Sequence, residues 1–220
     1  MRPRTRCTDR AQGRSPDDGR KGRGRKPFSR DFGVPPDTAQ DNFTDPESRI
    51  MKTAAGFDQC YNGQAAVDEA WQLIVATGLS TCAADQGALL PVVDRVEATL
   101  GTLPDEVLAD AGYRDQATFV TLEARHVTAY VSLGRERKST PVIDAAQDAT
   151  RRMAERLASP EGRARYRRRK TIVEPVFGWI KHALGFRRFS VRGETRVRGE
   201  WNLVCLAVNL KHWHRLQLAG

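Results

Sequence analysis

The chain has 220 residues, enough for one large domain or one domain with an arm, and 40% of them are hydrophobic against 29% charged. It has no run of about 18 apolar residues, and no apolar stretch follows the basic residues at its start, so neither a membrane span nor a secretory signal is expected and a cytoplasmic location is predicted. Its four cysteines form no CxxC pair and have no histidines at zinc-finger spacing, which argues against a zinc site or a disulfide framework.

The net charge of +9 is divided unevenly along the chain. Residues 1–40 carry +6, residues 41–150 carry −9, residues 151–200 carry +10 and residues 201–220 carry +2. Carboxylates beside basic stripes suit a metal-dependent enzyme that acts on a polyanion, because the acids bind cations while Arg and Lys bind phosphates. Ordinary helices with solvated charged faces give the same pattern, so that alternative stays open.

Residues 1–40 are rich in Arg, Gly, Pro, Asp and Ser and have almost no apolar periodicity, which predicts a disordered basic arm or linker. Order is expected to begin near residue 41, with a turn at Asp45-Pro46. The segments CYNGQAAVDE and WQLIVATGLS are rich in β-formers, and the polar residues Asp68 and Glu69 lie between their apolar parts. They predict a β-hairpin.

A helix is predicted from Asp85 to Leu100, where apolar residues recur at the spacing of one helical face. In EVLADAGY, a short apolar run ends at Asp110, which predicts a buried strand with a carboxylate at its C-terminal end. Another helix from Asp115 to Arg125 and a strand from Val127 follow. The predicted order is β-β-α-β-α-β.

The last third is predicted to be helical. After a polar, Arg-rich stretch from Asp144 to Lys170, the segment TIVEPVFGWIKHAL predicts one helix, and Val197 to Leu216 predicts a final amphipathic helix. Trp179 and Trp213 lie among apolar neighbours at helical spacing, which favours the core over stacking on bases.

Five residues of the glutamate-bearing helix fall within about 40° of one line if the helix extends back through Lys170; they are Arg167, Lys170, Glu174, Gly178 and Lys181. Such a stripe suits a metal ion and a phosphodiester together. Thr171 and Glu174 also have the spacing of a capping box, in which Glu174 would only bond the backbone at a helix start. Both interpretations stay open.

Several ordered motifs together resemble insertion-sequence transposases of the DDE type, over roughly residues 41–216. The motifs are YNGQAAVDE, VLADAGY, YRRRKTIVEPVFGWIK, GFRRFSVRG and WNLVCLAVNL. The resemblance implies a ribonuclease-H-like α/β fold, in which a mixed sheet is flanked by helices, and two Mg²⁺ or Mn²⁺ ions bound by three acids.

Carried over by the resemblance, Asp110 and Glu174 are metal-binding catalytic acids and Lys181 is the signature lysine. Tyr166 and Arg169 are candidates for the signature Tyr and Arg, although each lies one residue farther from Glu174 than in the commonest form of the signature. Lys170 occupies the usual place of the signature Arg. The resemblance implies DNA contacts from the following residues: Tyr166, Arg167, Arg168, Arg169, Lys170, Arg187 and Arg188.

The first catalytic Asp has no good counterpart, because the family's apolar run ending in Asp-Gly-Thr is absent before residue 60. Asp31 lies in the polar arm, Asp45 in a turn and Asp68 at the end of a strand. With a ribonuclease-H-like strand order of 3-2-1-4-5, the loss also removes the central strand and leaves its neighbours with unpaired edges. We therefore expect residues 41–220 to be the C-terminal part of a truncated catalytic domain.

The resulting hypothesis is DNA transposition, with metal-dependent cleavage and strand transfer at double-stranded insertion-sequence ends, by an incomplete or inactive remnant associated with the nucleoid. Partners would be full-length transposase or further copies of the chain. The alternative is a non-catalytic DNA-binding regulator or inhibitor of full-length transposase. A basic protein that acts on RNA is less favoured, because aromatic stacking motifs are lacking.

Overall fold

The computed structural model describes residues 42–53, 56–134, 143–144 and 146–219. The predicted basic arm at 1–40 lies outside these residues. Within them the strands are β1 (Arg49–Thr53), β2 (Gly56–Cys60), β3 (Asn62–Val67), β4 (Ile74–Ser80), β5 (Glu106–Ala109) and β6 (Thr128–Val131). The helices are α1 (Leu89–Leu100), α2 (Gln116–Ala124), α3 (Asp148–Ala158), α4 (Pro160–His182) and α5 (Glu194–Ala219).

The strands of the described residues form three two-stranded sheets. β1 pairs with β2 and β3 with β4, both antiparallel, while β5 and β6 are parallel. The α/β class and the β-β-α-β-α-β order of residues 60–131 are confirmed. A single ribonuclease-H-like sheet is not formed by the described strands, since none of them joins the β3–β4 hairpin to the β5–β6 pair.

The tip of the β3–β4 hairpin is held by Asp68. Its two carboxylate oxygens accept hydrogen bonds from the backbone N–H groups of Trp71, at 2.8 Å, and Leu73, at 2.6 Å. This local bonding closes the turn between the strands. The carboxylate of Asp68 therefore has a structural role.

Two buried clusters hold the fold together. The first packs α1, α2 and α3 against the β5–β6 pair and centres on Phe119, Leu122 and Val131, which are almost fully buried. The second joins Ile74 of β4 to α4 and α5. Of the apolar run that predicted a buried strand, Ala109 is buried in the first cluster and Val107 packs against it partly buried, so β5 is only partly buried.

The Arg-rich stretch that carried no predicted element is mostly helical, as α3 and the first half of α4. α3 buries only a narrow stripe that includes Ala149 and Met153. In the sequence, the many charged residues around this stripe hide its apolar periodicity. At the junction with α4, the hydroxyl of Ser159 accepts a hydrogen bond from the N–H of Gly162, and Pro160 starts the helix. Both are ordinary helix-start signals.

α4 continues through Pro175, which has no N–H to bond the carbonyl of Thr171. The side-chain amide of Gln72, at the hairpin tip, donates to that carbonyl at 2.9 Å. A carbonyl freed by proline is thus satisfied by another element. This bond fixes the hairpin against the middle of α4.

α5 has apolar residues on two opposite sides. Val197, Trp201, Cys205 and Val208 are buried against the rest of the protein. Trp213, predicted to be in the core, is 57% exposed, so that prediction is wrong. The apolar spacing does not reveal which side packs inward, because both sides have it.

Candidate functional site

Asp110 follows the last residue of β5, at the C-terminal end of the strand, as predicted. It caps a short 3-10 helix, Ala111–Tyr113, and its Oδ1 accepts a hydrogen bond from the N–H of Gly112 at 2.9 Å. The residue is exposed. Strand end and cap together present this carboxylate at the surface.

A second carboxylate, that of Asp85, lies beside Asp110. A Cβ atom built on Gly112 would lie 2.7 Å from Oδ2 of Asp85 and 3.0 Å from Oδ1 of Asp110. The two oxygens are therefore at most about 5.7 Å apart. A Cβ at position 112 would force the Asp85 carboxylate to shift, so the glycine of ADAGY leaves room for both carboxylates where they lie.

The other oxygen of Asp85 is held by the YNGQ segment. Its Oδ1 accepts hydrogen bonds from Nδ2 of Asn62 at 2.6 Å and Nε2 of Gln64 at 3.1 Å. Asn62 and Gln64 alternate along β3, so their side chains leave the same face of the strand. Asp85 was not predicted as a site residue, although two polar residues on one face of a half-buried strand were a signal for a polar partner.

Tyr113 borders this pair of carboxylates. Burial is the main cause that raises the pKa of its phenol, and the charges of Asp85 and Asp110 raise it further. The phenol therefore stays protonated at neutral pH. It adds no negative charge to the pair.

Glu174 lies in the middle of α4 and is exposed. The helix begins at Pro160, so Thr171 is not at a helix start, and its hydroxyl donates to the carbonyl of Arg168 instead. The capping-box interpretation is therefore wrong. Glu174 remains available for another role.

The predicted stripe on α4 is a continuous surface, because the helix does extend back through Lys170. Arg167, Lys170, Glu174 and Lys181 are all exposed. A Cβ atom on Gly178 would meet no other atom within 4 Å. The four side chains are thus exposed, and open space lies beside Gly178.

The remaining basic residues of α4 differ in their surroundings. Arg165 bonds Glu69 and Glu106, and Arg168 also bonds Glu69, at 2.6 Å. The guanidinium of Arg169 lies 5.6 Å from the ring centre of Tyr166. Of the predicted DNA-binding set, Arg168 therefore helps to anchor α4 to the hairpin, while Arg165, which lies outside that set, also bonds Glu106 of β5.

The loop between α4 and α5, which carries several arginines, is held in place by packing and hydrogen bonds to α5. Phe186 and Phe189 pack on Trp201, with ring centres 6.3 Å and 6.5 Å away. The carboxylate of Glu200 accepts hydrogen bonds from the backbone N–H groups at Ser190 and Val191. The loop backbone is thereby held against α5 by aromatic packing on Trp201 and by hydrogen bonds to Glu200.

The arginines of this loop are Arg187, Arg188 and Arg192, and all three are exposed. Among the residues that the structure describes, none of them forms an ion pair. Guanidinium groups on a fixed backbone suit phosphate oxygens.

Asp45 lies in the predicted turn but is buried, with 7% of its surface exposed. Its Oδ1 accepts hydrogen bonds from the hydroxyl of Tyr61 at 2.6 Å and from the N–H of Gly193 at 3.3 Å. It thereby ties the start of the described chain to the loop before α5. Burial, followed by the hydrogen bond to Asp45, raises the pKa of Tyr61.

Asp110 and Glu174 stand on different elements, and their convergence stays a prediction. Within the described ranges, no group of three or more His, Cys, Asp or Glu side chains is arranged to hold a metal ion. Among the predicted metal ligands, Asp110 has the carboxylate of Asp85 as a close neighbour.

Residues 130–214 match the model of a protein family described as a transposase DDE domain. This segment of the chain is therefore similar to a transposase DDE domain. The match covers Glu174, Lys181 and the basic residues of α4 and the loop, while Asp85 and Asp110 precede it. No curated protein and no solved structure matches this chain. None of its described helices is long and apolar enough to cross a membrane.

Proposed function

We propose that this chain acts in DNA transposition, binding insertion-sequence ends through its basic residues and a divalent cation, Mg²⁺ or Mn²⁺, at Asp110. The observation that carries the metal part of the proposal is the approach of Asp85 to Asp110 within about 5.7 Å. The family match supports the same function.

The residues at the pair fit a hard cation. Mg²⁺ and Mn²⁺ prefer carboxylate oxygens, and two negative charges this close on an exposed edge repel each other unless a cation lies nearby. Asn62 and Gln64 hold one oxygen of Asp85 and leave Oδ2 on the side of Asp110. Amides that orient a ligand in this way are common behind metal-binding carboxylates.

We assign the roles as follows. Asp110 and Asp85 bind one cation, for which their facing oxygens have to lie within about 4 Å of each other, and Glu174 contributes a further ligand when DNA brings the surfaces together. A cation held in this manner would activate an attacking hydroxyl or stabilise the leaving oxygen at DNA phosphorus. Lys181 and the exposed arginines of the loop hold the phosphate backbone on either side.

The alternative is a DNA-binding regulator that occupies transposon ends without cutting them. It is favoured by one observation: the loop arginines are presented on a firm backbone independently of the carboxylates. Arg187 and Arg188 need neither Asp85 nor Asp110 for their position. DNA binding is therefore expected to survive the loss of the metal site.

The test compares three proteins, the natural chain, Asp110→Asn and the double variant Arg187→Gln/Arg188→Gln. Binding of duplex DNA is followed by fluorescence anisotropy over a range of salt, Mn²⁺ binding by electron paramagnetic resonance, and cleavage with supercoiled plasmid. We expect Asp110→Asn to lose Mn²⁺ and keep DNA, and the arginine variant to do the reverse. Removing one phosphate-binding side chain should lower the salt slope by about 1.

We expect no strand transfer by the natural chain alone, since two carboxylates bind such cations weakly. Asp110-dependent cleavage by the purified chain would refute the idea of an incomplete enzyme while supporting the site. Mn²⁺ binding that is unchanged in Asp110→Asn would refute the metal site. Retained DNA binding would then leave the regulator as the better function.

A further inference from the structure

The outward side of α5 carries a row of large apolar side chains. Their spacing is three, four and three residues, as in the seam of a coiled coil. They are Leu203, Leu206, Leu210 and Trp213, with exposures of 67%, 52%, 51% and 57%. We call this row the leucine stripe.

The stripe is not part of the fold's own core. At 100° per residue, its members lie on the side of α5 opposite to Trp201, Cys205 and Val208, which are buried. A helix with apolar residues on both sides is expected to be covered on both. A contiguous apolar surface of this kind marks an interaction site.

The segments outside the described residues are poor candidates for covering the stripe. Residues 1–41 are dominated by Arg, Gly, Pro, Asp and Ser, and residues 135–142 read RERKSTPV. Neither has leucines at helical spacing. DNA is also unsuitable, because the line of the stripe from Gly199 to Gln217 contains no charged residue.

We propose that the leucine stripe binds the same stripe of a second copy, with the two α5 helices antiparallel. This inference does not depend on the proposed metal site. With the two-fold axis between Leu206 and Leu210, these two leucines face each other across the axis, and Leu203 faces Trp213. A surface that matches itself in this way closes a dimer.

Charge favours the antiparallel direction. Arg196 lies beside the N-terminal end of the stripe, about 60° from its line. In a parallel pair it would face its own copy, whereas in an antiparallel pair it faces the last turn of the other helix, where the helix dipole is negative. The antiparallel arrangement therefore replaces a repulsion with an attraction.

The area indicates a dimer of moderate affinity. The four side chains expose roughly 500 Å² per copy, against about 800 Å² for each partner of a standard interface. A weak dimer whose population rises with protein concentration is therefore expected.

The test is sedimentation equilibrium of the full chain from about 1 to 100 µM, compared with Leu206→Glu/Leu210→Glu. The matched control is Leu100→Glu, since Leu100 is 53% exposed at the end of α1, away from the stripe. We expect the natural chain and the control to dimerise and the double variant to be monomeric. Circular dichroism checks that every variant is folded.

The direction is tested by mixing Leu206→Cys and Leu210→Cys proteins under mild oxidation. An antiparallel pair gives the mixed disulfide in excess over either symmetric one, as mapped by mass spectrometry. A natural chain that stays monomeric at 100 µM, or a double variant that still dimerises, would overturn the proposal. Mn²⁺ and DNA binding by a monomer would leave the proposed function intact.

Discussion

Replacing Asp110 with Asn should make the metal-free protein more stable and remove its response to divalent cations. The two carboxylates of the pair are at most about 5.7 Å apart. The substitution removes one charge but keeps an oxygen that accepts the hydrogen bond from Gly112. The local cap is therefore preserved while the repulsion ends.

The size of the effect follows from Coulomb's law. Two unit charges at this separation repel by about 0.7 kcal/mol in bulk water and by about 3 kcal/mol at an effective dielectric constant of 20. Because Asp110 is exposed, the lower part of this range applies. We expect a gain of about 1 kcal/mol in the free energy of unfolding, or roughly 2–4 °C in Tm for a chain of this size.

The assay is thermal unfolding with and without Mn²⁺, followed by circular dichroism. A cation present at about 100 times its Kd adds about 2.7 kcal/mol to the stability of a protein that binds it only when folded. The natural chain should show this increase, whereas Asp110→Asn should not. Asp85→Asn should behave like Asp110→Asn and show no increase in stability with Mn²⁺.

Asp105→Asn is the control, because Asp105 is exposed at the other end of β5. It should neither stabilise the metal-free protein nor change the response to Mn²⁺. An unchanged metal-free Tm for Asp110→Asn, together with stabilisation by Mn²⁺ as in the natural chain, would contradict both the repulsion and the metal site.

Three further substitutions test other contacts. Gly112→Ala places a methyl group 2.7 Å from Asp85 and should weaken Mn²⁺ binding about tenfold; unchanged affinity in a titration would contradict the crowding. Gln72→Ala leaves the carbonyl of Thr171 unsatisfied and should cost about 1 kcal/mol in urea unfolding, whereas no loss would show that water replaces the amide. Burial raises the pKa of Cys205 to about 12, so the folded thiol stays protonated while the unfolded one ionises. Stability should fall as pH rises from about 9 towards 12, and a Cys205→Ala protein with the same alkaline slope would contradict this.

The elements around the β5–β6 pair were predictable because local pattern and packing agree there. The run ending at Ala109 had the form of a buried strand, and Asp110 was expected at its end. α3 was missed because its buried stripe is narrow and its charges dominate. A cap on α4 was wrongly allowed at Thr171, since Pro160 and Ser159, the actual start signals, lie eleven and twelve residues earlier.

Asp85 shows what a single sequence does not reveal about the site. It lies in a polar loop before α1, and nothing in its neighbours marks it as more than a helix-start residue. Its importance arises from long-range packing, which brings β3 and the end of β5 to the same place. The motif residues Asn62 and Gln64 were visible in the sequence, but their common partner was not.

The amide of Gln72 and the ring of Pro175 are two halves of one arrangement. If position 175 held an alanine, α4 would complete its own ladder and the glutamine would have no backbone group to serve there. If position 72 had no amide, proline at 175 would leave the carbonyl of Thr171 without this hydrogen bond and would destabilise the protein. Among relatives of this chain, the two positions are expected to vary together, although 103 residues separate them.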